Sequence, residues 1–394
     1  MHRRLDKDSE LVIDALRGIA ALLVLFTHAF DLAVADAYGW NYAGNSEGWR
    51  WARASLGHGG FLVWCFFMIS GVCIHQSISR SITAGEFSFW RYAVARVTRI
   101  YPLFLLGLIL AISAWLLHED FGDGYTNIAP WRELGASLVS LHIFTTPFPA
   151  YETSWSLSCE MIYYALWPTA LLASRGRVNW AVVGSIVTVL IVTLSVMLLW
   201  KVFHRLEHSA FVEGVWIVSV LFPVWVCGAW LAAHWQHPRL VISRHTWMFS
   251  ILLCLLSECL LVVLKFKQFP NWAIHLAGWS SIPGLMLFLI GSHYTRLSAQ
   301  AWAEPVCRWL GQFSYPCYIL HMQLLLLIDH FVDAYLGETL HRYPILHMAV
   351  EFSLVFAILI LTGPRLERLT LRWRSGLLNA IPKAQPHKIE TPSH

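Results

Sequence analysis

"LVIDALRGIAALLVLFTHAF", Leu11 to Phe30, is the stretch on which the reading of this chain turns. It is nearly long enough and apolar enough to cross a bilayer as one α-helix, which takes about 20 residues. Yet it carries an acid, an arginine and a histidine: Asp14, Arg17 and His28. The small residues of "LAVADA" just after it resemble a cleavage site. A signal peptide is nevertheless not expected, because its apolar region would have to include Arg17 and run far beyond the roughly 7 to 15 residues typical of such a segment.

Similar runs recur along the chain, near 11–33, 58–79, 100–118, 156–173, 179–200, 211–233, 246–264, 272–292, 312–331 and 343–363. Over 394 residues 57% are hydrophobic and only 13% charged, with 21 tryptophans and a mean hydropathy of +0.54, a composition foreign to soluble domains of this size. Alternation of the β-barrel kind is absent. The expected fold is all-α, a polytopic membrane bundle of about ten transmembrane helices.

With ten spans, every even-numbered loop collects arginine: Arg80, Arg91, Arg96 and Arg99, then Arg175 and Arg177, then Arg239 and Arg244, then Arg296 and Arg308. By the positive-inside rule that side is cytoplasmic, and both termini lie there. The stretch "LGASLVSLHIFTTPFP", 134–149, is short and broken by Thr and Pro. Counting it as a span would move Arg175 and Arg177 outside, so it reads as re-entrant or interfacial. The organisation is then a short cytoplasmic segment over 1–10, one membrane domain over 11–363 and a basic cytoplasmic tail over 364–394, expected to fray after about Pro364. The formal net charge of +4 comes from the cytoplasmic arginines. No basic run, zinc finger or RNA-binding aromatic signature accompanies it, so nucleic acid is not expected as a partner. Eight cysteines without a C-x-x-C pair read as free thiols packing like small apolar residues. No metal is expected.

An ionisable side chain at membrane depth costs at least about 2.5 to 3.5 kcal/mol, so each one is a candidate functional residue. Asp14 and Arg17 are three apart and close enough to pair near the cytoplasmic end of their helix. Arg17 and His28 are eleven apart, which brings them within about 20° of the same helix face and separates them by roughly 16 Å. One stripe thus bears a permanent cation and, further out, a titratable imidazole. In "FSFWRYAVARVTRIYPLF", Arg96 and Arg99 share a face at i, i+3. Two planar guanidiniums there offer a fork for phosphate oxygens, although arginines at a cytoplasmic helix entrance need no ligand. In "TSWSLSCEMIYYALWP", Trp155 and Tyr163 flank Glu160, which reaches the level of His28 if their helices are neighbours and would then orient the imidazole. In "LGQFSYPCYILHMQ", Ser314 and Tyr315 open the ninth span and His321 follows.

Taken in order, these pieces resemble the acyltransferase 3 family of integral membrane O-acyltransferases over nearly the whole chain. The resemblance rests on "IDALRGIAALLVLFTH" with Arg17 and His28 as R-x10-H, "FFMISG" at 66–71, "RVTRIYP" with Arg96 and Arg99, "WSLSCE" at 155–160 and "SYPCYILH" at 314–321. It implies a bacterial inner-membrane enzyme that takes an acyl group, usually acetyl, from cytoplasmic acyl-CoA as co-substrate, with no permanently bound cofactor, and places it on an extracytoplasmic carbohydrate or glycolipid hydroxyl. It further implies His28 as the catalytic histidine, acting either as base in direct transfer or as covalent carrier of the acyl group, Arg17 as a second essential residue, Arg96 and Arg99 on the CoA phosphates and Glu160 as the family's acidic position. Trp155, Tyr163, Ser314, Tyr315 and His321 are the candidate substrate-binding residues. Some members append an extracytoplasmic hydrolase-like domain. Only residues 364–394 follow the last span here, so an acceptor needing that domain is expected to find it in a partner.

Two other readings use the same residues. An anionic-solute transporter would bind at Arg17, Arg96 and Arg99 and break its helices at Pro223, Pro283 and Pro316. A different membrane O-acyltransferase would rely on His142 or His321. The aromatic outer loop "AYGWNYAGNSEGWRW" suits stacking on sugar faces, though interfacial tryptophans also serve as anchors. The acceptor's identity and the oligomeric state have no signature in the sequence.

Overall fold

A computed structural model of the chain describes residues 5–35, 47–56, 60–83, 87–117, 131–203, 210–235, 240–340 and 342–381, and among them all regular structure is helical. Helix α1, Lys7–Phe30, starts where Asp6 caps it by accepting the Ser9 N–H at 2.9 Å, with Asp8 and Glu10 in its first turn, against the positive end of the helix dipole. There follow α2 (Glu47–Leu56), α3 (Gly60–Thr83), α4 (Phe89–Leu117), α5 (Trp131–Leu138), α6 (Trp155–Ala173), α7 (Val178–Phe203) and α8 (Ala210–His234). The rest are α9 (Arg244–Phe266), α10 (Asn271–Ala277), α11 (Ser281–Ile290), α12 (Ala303–Leu340) and α13 (Pro344–Ala380).

Nine helical segments among the described residues are long and apolar enough to cross a membrane. Every one overlaps an expected span. The tenth expected span is α6, a 19-residue helix holding Glu160, Trp155, Tyr163, Tyr164, Trp167 and Pro168, whose polar and aromatic content removes it from the strongly apolar class. Residues 134–149 do not form a span: α5 ends at Leu138 and a 3-10 turn covers His142–Phe144. Other boundaries differ from expectation. Helix α12 begins at Ala303, so Ser314 and Tyr315 lie well inside it rather than opening it, and α13 runs through Pro364 to Ala380 instead of fraying. Pro223 and Pro316 likewise sit within continuous helices. Of the aromatic outer loop, residues 36–46 lie outside the described residues, while Trp51 stacks on Phe266 at 3.9 Å between ring centroids.

Two close helix crossings organise the bundle. Helices α1 and α12 run in parallel, and a Cβ on Gly18 would stand 2.5 Å from Leu310 Cβ while one on Gly311 would stand 2.6 Å from Asp14 Oδ1. Helix α3 crosses α8 backbone to backbone: a Cβ on Gly71 would fall 2.0 Å from the Trp225 carbonyl oxygen, and one on Gly228 2.0 Å from that of Met68. In lipid, where helix association depends on close packing rather than on the hydrophobic effect, glycines permit such approach. The interior divides into two apolar packs, one built mainly on α3, α6, α8 and α11, the other on α1, α4, α12 and α13. Helices α7 and α9 lie outside, with Leu190, Leu194, Leu198, Leu252 and Leu255 exposed on surface that acyl chains would cover.

Candidate active site

The seam between the two packs holds a cavity of about 880 Å³, mouth included, to which five helices contribute. Arg17 comes from α1, Ser70 and Cys73 from α3, Arg96 and Arg99 from α4, Ser156, Glu160 and Tyr164 from α6, Tyr315 and Tyr318 from α12. The R-x-x-R pair and the first-helix arginine, far apart in sequence, therefore share one space.

The three guanidiniums are held differently. Arg99 pairs with Glu367 of α13 at 2.8 Å, the glutamate side chain being only 3% exposed, and packs 6.0 Å from the Tyr315 ring centroid. Arg96 donates to Ser77 Oγ at 2.6 Å and lies 5.2 Å from the Tyr92 ring centroid, its buried Nε meeting no partner. Arg17 makes neither an ion pair nor a hydrogen bond with the described residues. Asp14, expected beside it, instead accepts from Arg308 at 3.1 Å, and Arg308 also reaches Glu10 at 3.1 Å. Two guanidiniums without an ion-pair partner among the described residues thus face the cavity, and a third is paired from behind.

Glu160 does not orient His28. Its Oε2 accepts the Tyr164 hydroxyl at 2.8 Å, and Tyr164 meets Ser70, which takes the Trp225 indole N–H at 3.2 Å. The carboxylate belongs to the arginine cavity, where it feels Arg17 and Arg99. His28 faces another histidine: its ring centroid lies 5.2 Å from that of His321. His321 Nδ1 donates to the Cys317 carbonyl at 3.0 Å, which leaves Nε2 as the lone-pair nitrogen, buried and without a partner. Tyr318 links the two zones. It lines the cavity, hydrogen-bonds Ser156 at 2.6 Å, and its ring centroid is 6.2 Å from that of His321. The histidine pair forms the next layer beyond the cavity's tyrosine wall.

Other expected site residues serve packing. Tyr163 is fully buried and donates to the Val218 carbonyl at 2.6 Å, Ser314 donates to the Gly311 carbonyl at 2.8 Å, and Trp155 packs on Phe67. Tyr315 lines the cavity with its hydroxyl on the Ile100 carbonyl at 2.8 Å. His142 is buried between Ser154 and Ser158, away from the cavity, and burial pushes its imidazole down to about 4. Cys73 is exposed in the cavity and Cys259 on the surface, against the expectation of buried thiols.

Ser70, Ser156, Tyr164, Tyr318 and Glu367 join the site without being among the residues expected there. Four of these had a signal. Ser70 and Ser156 stand inside the quoted motifs, Tyr164 is one turn after Glu160, and Tyr318 is one turn before His321. Glu367 had none, since only the continuation of α13 past Pro364 carries it to Arg99.

Residues 11–363 match the family model described as an acyltransferase domain. The chain belongs to this acyltransferase family. Among curated proteins the chain is 24% identical over 346 residues to a Bacillus subtilis (strain 168) protein named "Putative peptidoglycan O-acetyltransferase YrhL", covering 80% of this chain and 48% of that one. It is also 25% identical over 238 residues to an "Uncharacterized protein" of Haemophilus influenzae, covering 57% of this chain and 91% of the relative. The chain spans about half the length of the first of these relatives. No solved structure matches it.

Proposed function

We propose that this multi-pass membrane acyltransferase transfers an acyl group, acetyl above all, from cytoplasmic acyl-CoA to a hydroxyl of an extracytoplasmic carbohydrate or glycolipid, in a bacterial inner membrane. The observation that carries the reading is the cavity shared by Arg17, Arg96 and Arg99, one tyrosine layer short of the His28–His321 pair. Two guanidiniums without a carboxylate partner favour an anionic ligand, and Arg binds phosphate through planar paired donors. The naming of one relative as a peptidoglycan O-acetyltransferase supports acetyl as the group and a glycan as the acceptor.

In this reading Arg96 and Arg17 hold the donor's charged end, Arg99 being pinned by Glu367, and the pantetheine arm leads the thioester past Tyr318 toward His28. The imidazole of His28 takes the proton of the acceptor hydroxyl as its oxygen forms a bond to the thioester carbonyl carbon. The C–S bond then breaks and the CoA thiolate leaves, taking up a proton. A general base of this kind contributes about 10²- to 10⁴-fold. His321 sets the ring plane of His28 and keeps its own donor N–H on the Cys317 carbonyl.

The test is acetyl-CoA binding to detergent-purified protein by calorimetry, beside an Arg17→Ala/Arg96→Ala variant. Binding by the wild type and at least about tenfold weaker binding by the variant is expected. If a well-folded wild type binds no short acyl-CoA, the donor assignment fails and transport of an anionic solute becomes the reading to pursue.

A further inference from the structure

At the far end of α12 and the start of α13, four side chains converge that acyl transfer does not use. Asp329 and Asp333 are spaced i, i+4 on α12, and His347 and Glu351 are spaced i, i+4 on α13, so each pair shares one helix face. His347 Nε2 lies 3.1 Å from Glu351 Oε1, 3.6 Å from Asp329 Oδ1 and 3.8 Å from Asp333 Oδ1. One donor atom from each of Asp329, His347 and Glu351 falls within 4.8 Å of the others. Metal–ligand bonds near 2.1 Å set donor pairs about 3 to 4 Å apart, so small rotamer changes bring these atoms onto one ion.

A second observation points the same way. Glu351 is 0% exposed, and neither carboxylate oxygen has a hydrogen-bond donor; Oε1 has only the 3.1 Å approach of His347, and Oε2 has no partner. A fully buried carboxylate without donors is costly unless a cation neutralises it. A protonated His347 meets Glu351 Oε1 and leaves Oε2 without a donor. A divalent ion does what the imidazolium cannot, and the 40% exposed Asp333 side chain marks the way in.

We propose that Asp329, Asp333, His347 and Glu351 form a site for a divalent transition-metal ion of the zinc or manganese kind. One nitrogen with carboxylate oxygens and no sulfur suits these ions, and the imidazole disfavours Mg²⁺. The ion clamps α12 to α13 about 12 Å beyond His321, bracing the helix that carries the histidine partner of His28. The site is independent of the donor and acceptor assigned above.

The test uses the full chain in detergent, stripped with chelator, re-equilibrated with Zn²⁺, Mn²⁺ or Mg²⁺ and desalted, with ion content and melting temperature as readouts. The wild type is expected to retain about one Zn²⁺ or Mn²⁺ per chain and to melt higher with it, while His347→Ala/Glu351→Gln loses both effects. Wild type that retains no ion overturns the proposal, as does a double variant with unchanged ion content or Mg²⁺ binding as tight as Zn²⁺. Should the double variant misfold, Asp333→Asn at the open edge decides: about tenfold or weaker affinity supports the site, and unchanged affinity overturns it.

Discussion

Arg17 and His28 lie on one stripe of α1, and the protein assigns them to different neighbourhoods. Arg17 opens into the cavity without a partner, whereas His28 stands against His321 in the layer beyond. The division of labour follows from position, because the two residues are about 16 Å apart along the helix axis and their side chains enter different surroundings. His28→Ala should therefore lower acyl transfer by about 10²- to 10⁴-fold while leaving acetyl-CoA affinity unchanged, checked by rate and calorimetry on the same preparation. Transfer at the wild-type rate would return His142 or His321 to candidacy as the base. The stripe itself was legible from spacing, and so was the cationic character of the R-x-x-R pair. The partners were not: Asp14 belongs to Arg308 and Arg99 to Glu367, pairings between positions hundreds of residues apart that no local spacing encodes.

Helix packing explains why "FFMISG" must end in glycine. Gly71 is the point at which α3 meets the α8 backbone, and the crossing holds Ser70 against Tyr164 and Trp225, beside Glu160. Gly71→Ala or Gly228→Ala drives a methyl group into a carbonyl oxygen of the other helix. Each should abolish monodisperse folded protein in detergent or lower its melting temperature by several degrees. Gly184→Ala on α7, where an added Cβ meets nothing within 4 Å, should leave it unchanged or raise it slightly, since alanine is the better helix former. Equal melting temperatures for all three would show that the α3–α8 crossing is loose. The helices themselves were readable, since runs of apolar residues at membrane length admit little else. Their ends were less so. Amphipathic continuations such as α13 beyond Pro364 draw their stability from tertiary partners like Arg99, which the run length does not reveal.

Taken as a whole, the described residues form two main apolar packs with the arginine cavity at their seam and a carboxylate–imidazole cluster at one helix end, and the protein's stability should depend on pH through groups buried in the neutral state. His142 is one outside the spans, held down to about 4 by burial between Ser154 and Ser158. An unfolded histidine titrates near 6.5, so the folded state's advantage is complete above that pH. It is lost progressively as pH falls from about 6.5 toward about 4, by roughly 3 kcal/mol. Melting temperature should decline over that window, and His142→Gln should flatten the decline; an equal decline in the variant would assign it to other groups.

By itself the sequence determined the fold class, the spans and the residue types placed at membrane depth, because hydropathy and the cost of burying charge are local properties of each segment. The tertiary structure decided which of those residues meet. It joined Arg17, Arg96, Arg99 and Glu160 in one cavity, set His28 against His321 instead of Glu160, and turned Tyr163 and Ser314 into packing. That outcome rests on how glycine contacts bring α1 onto α12 and α3 onto α8, a matter of complementary surfaces between segments far apart in the chain.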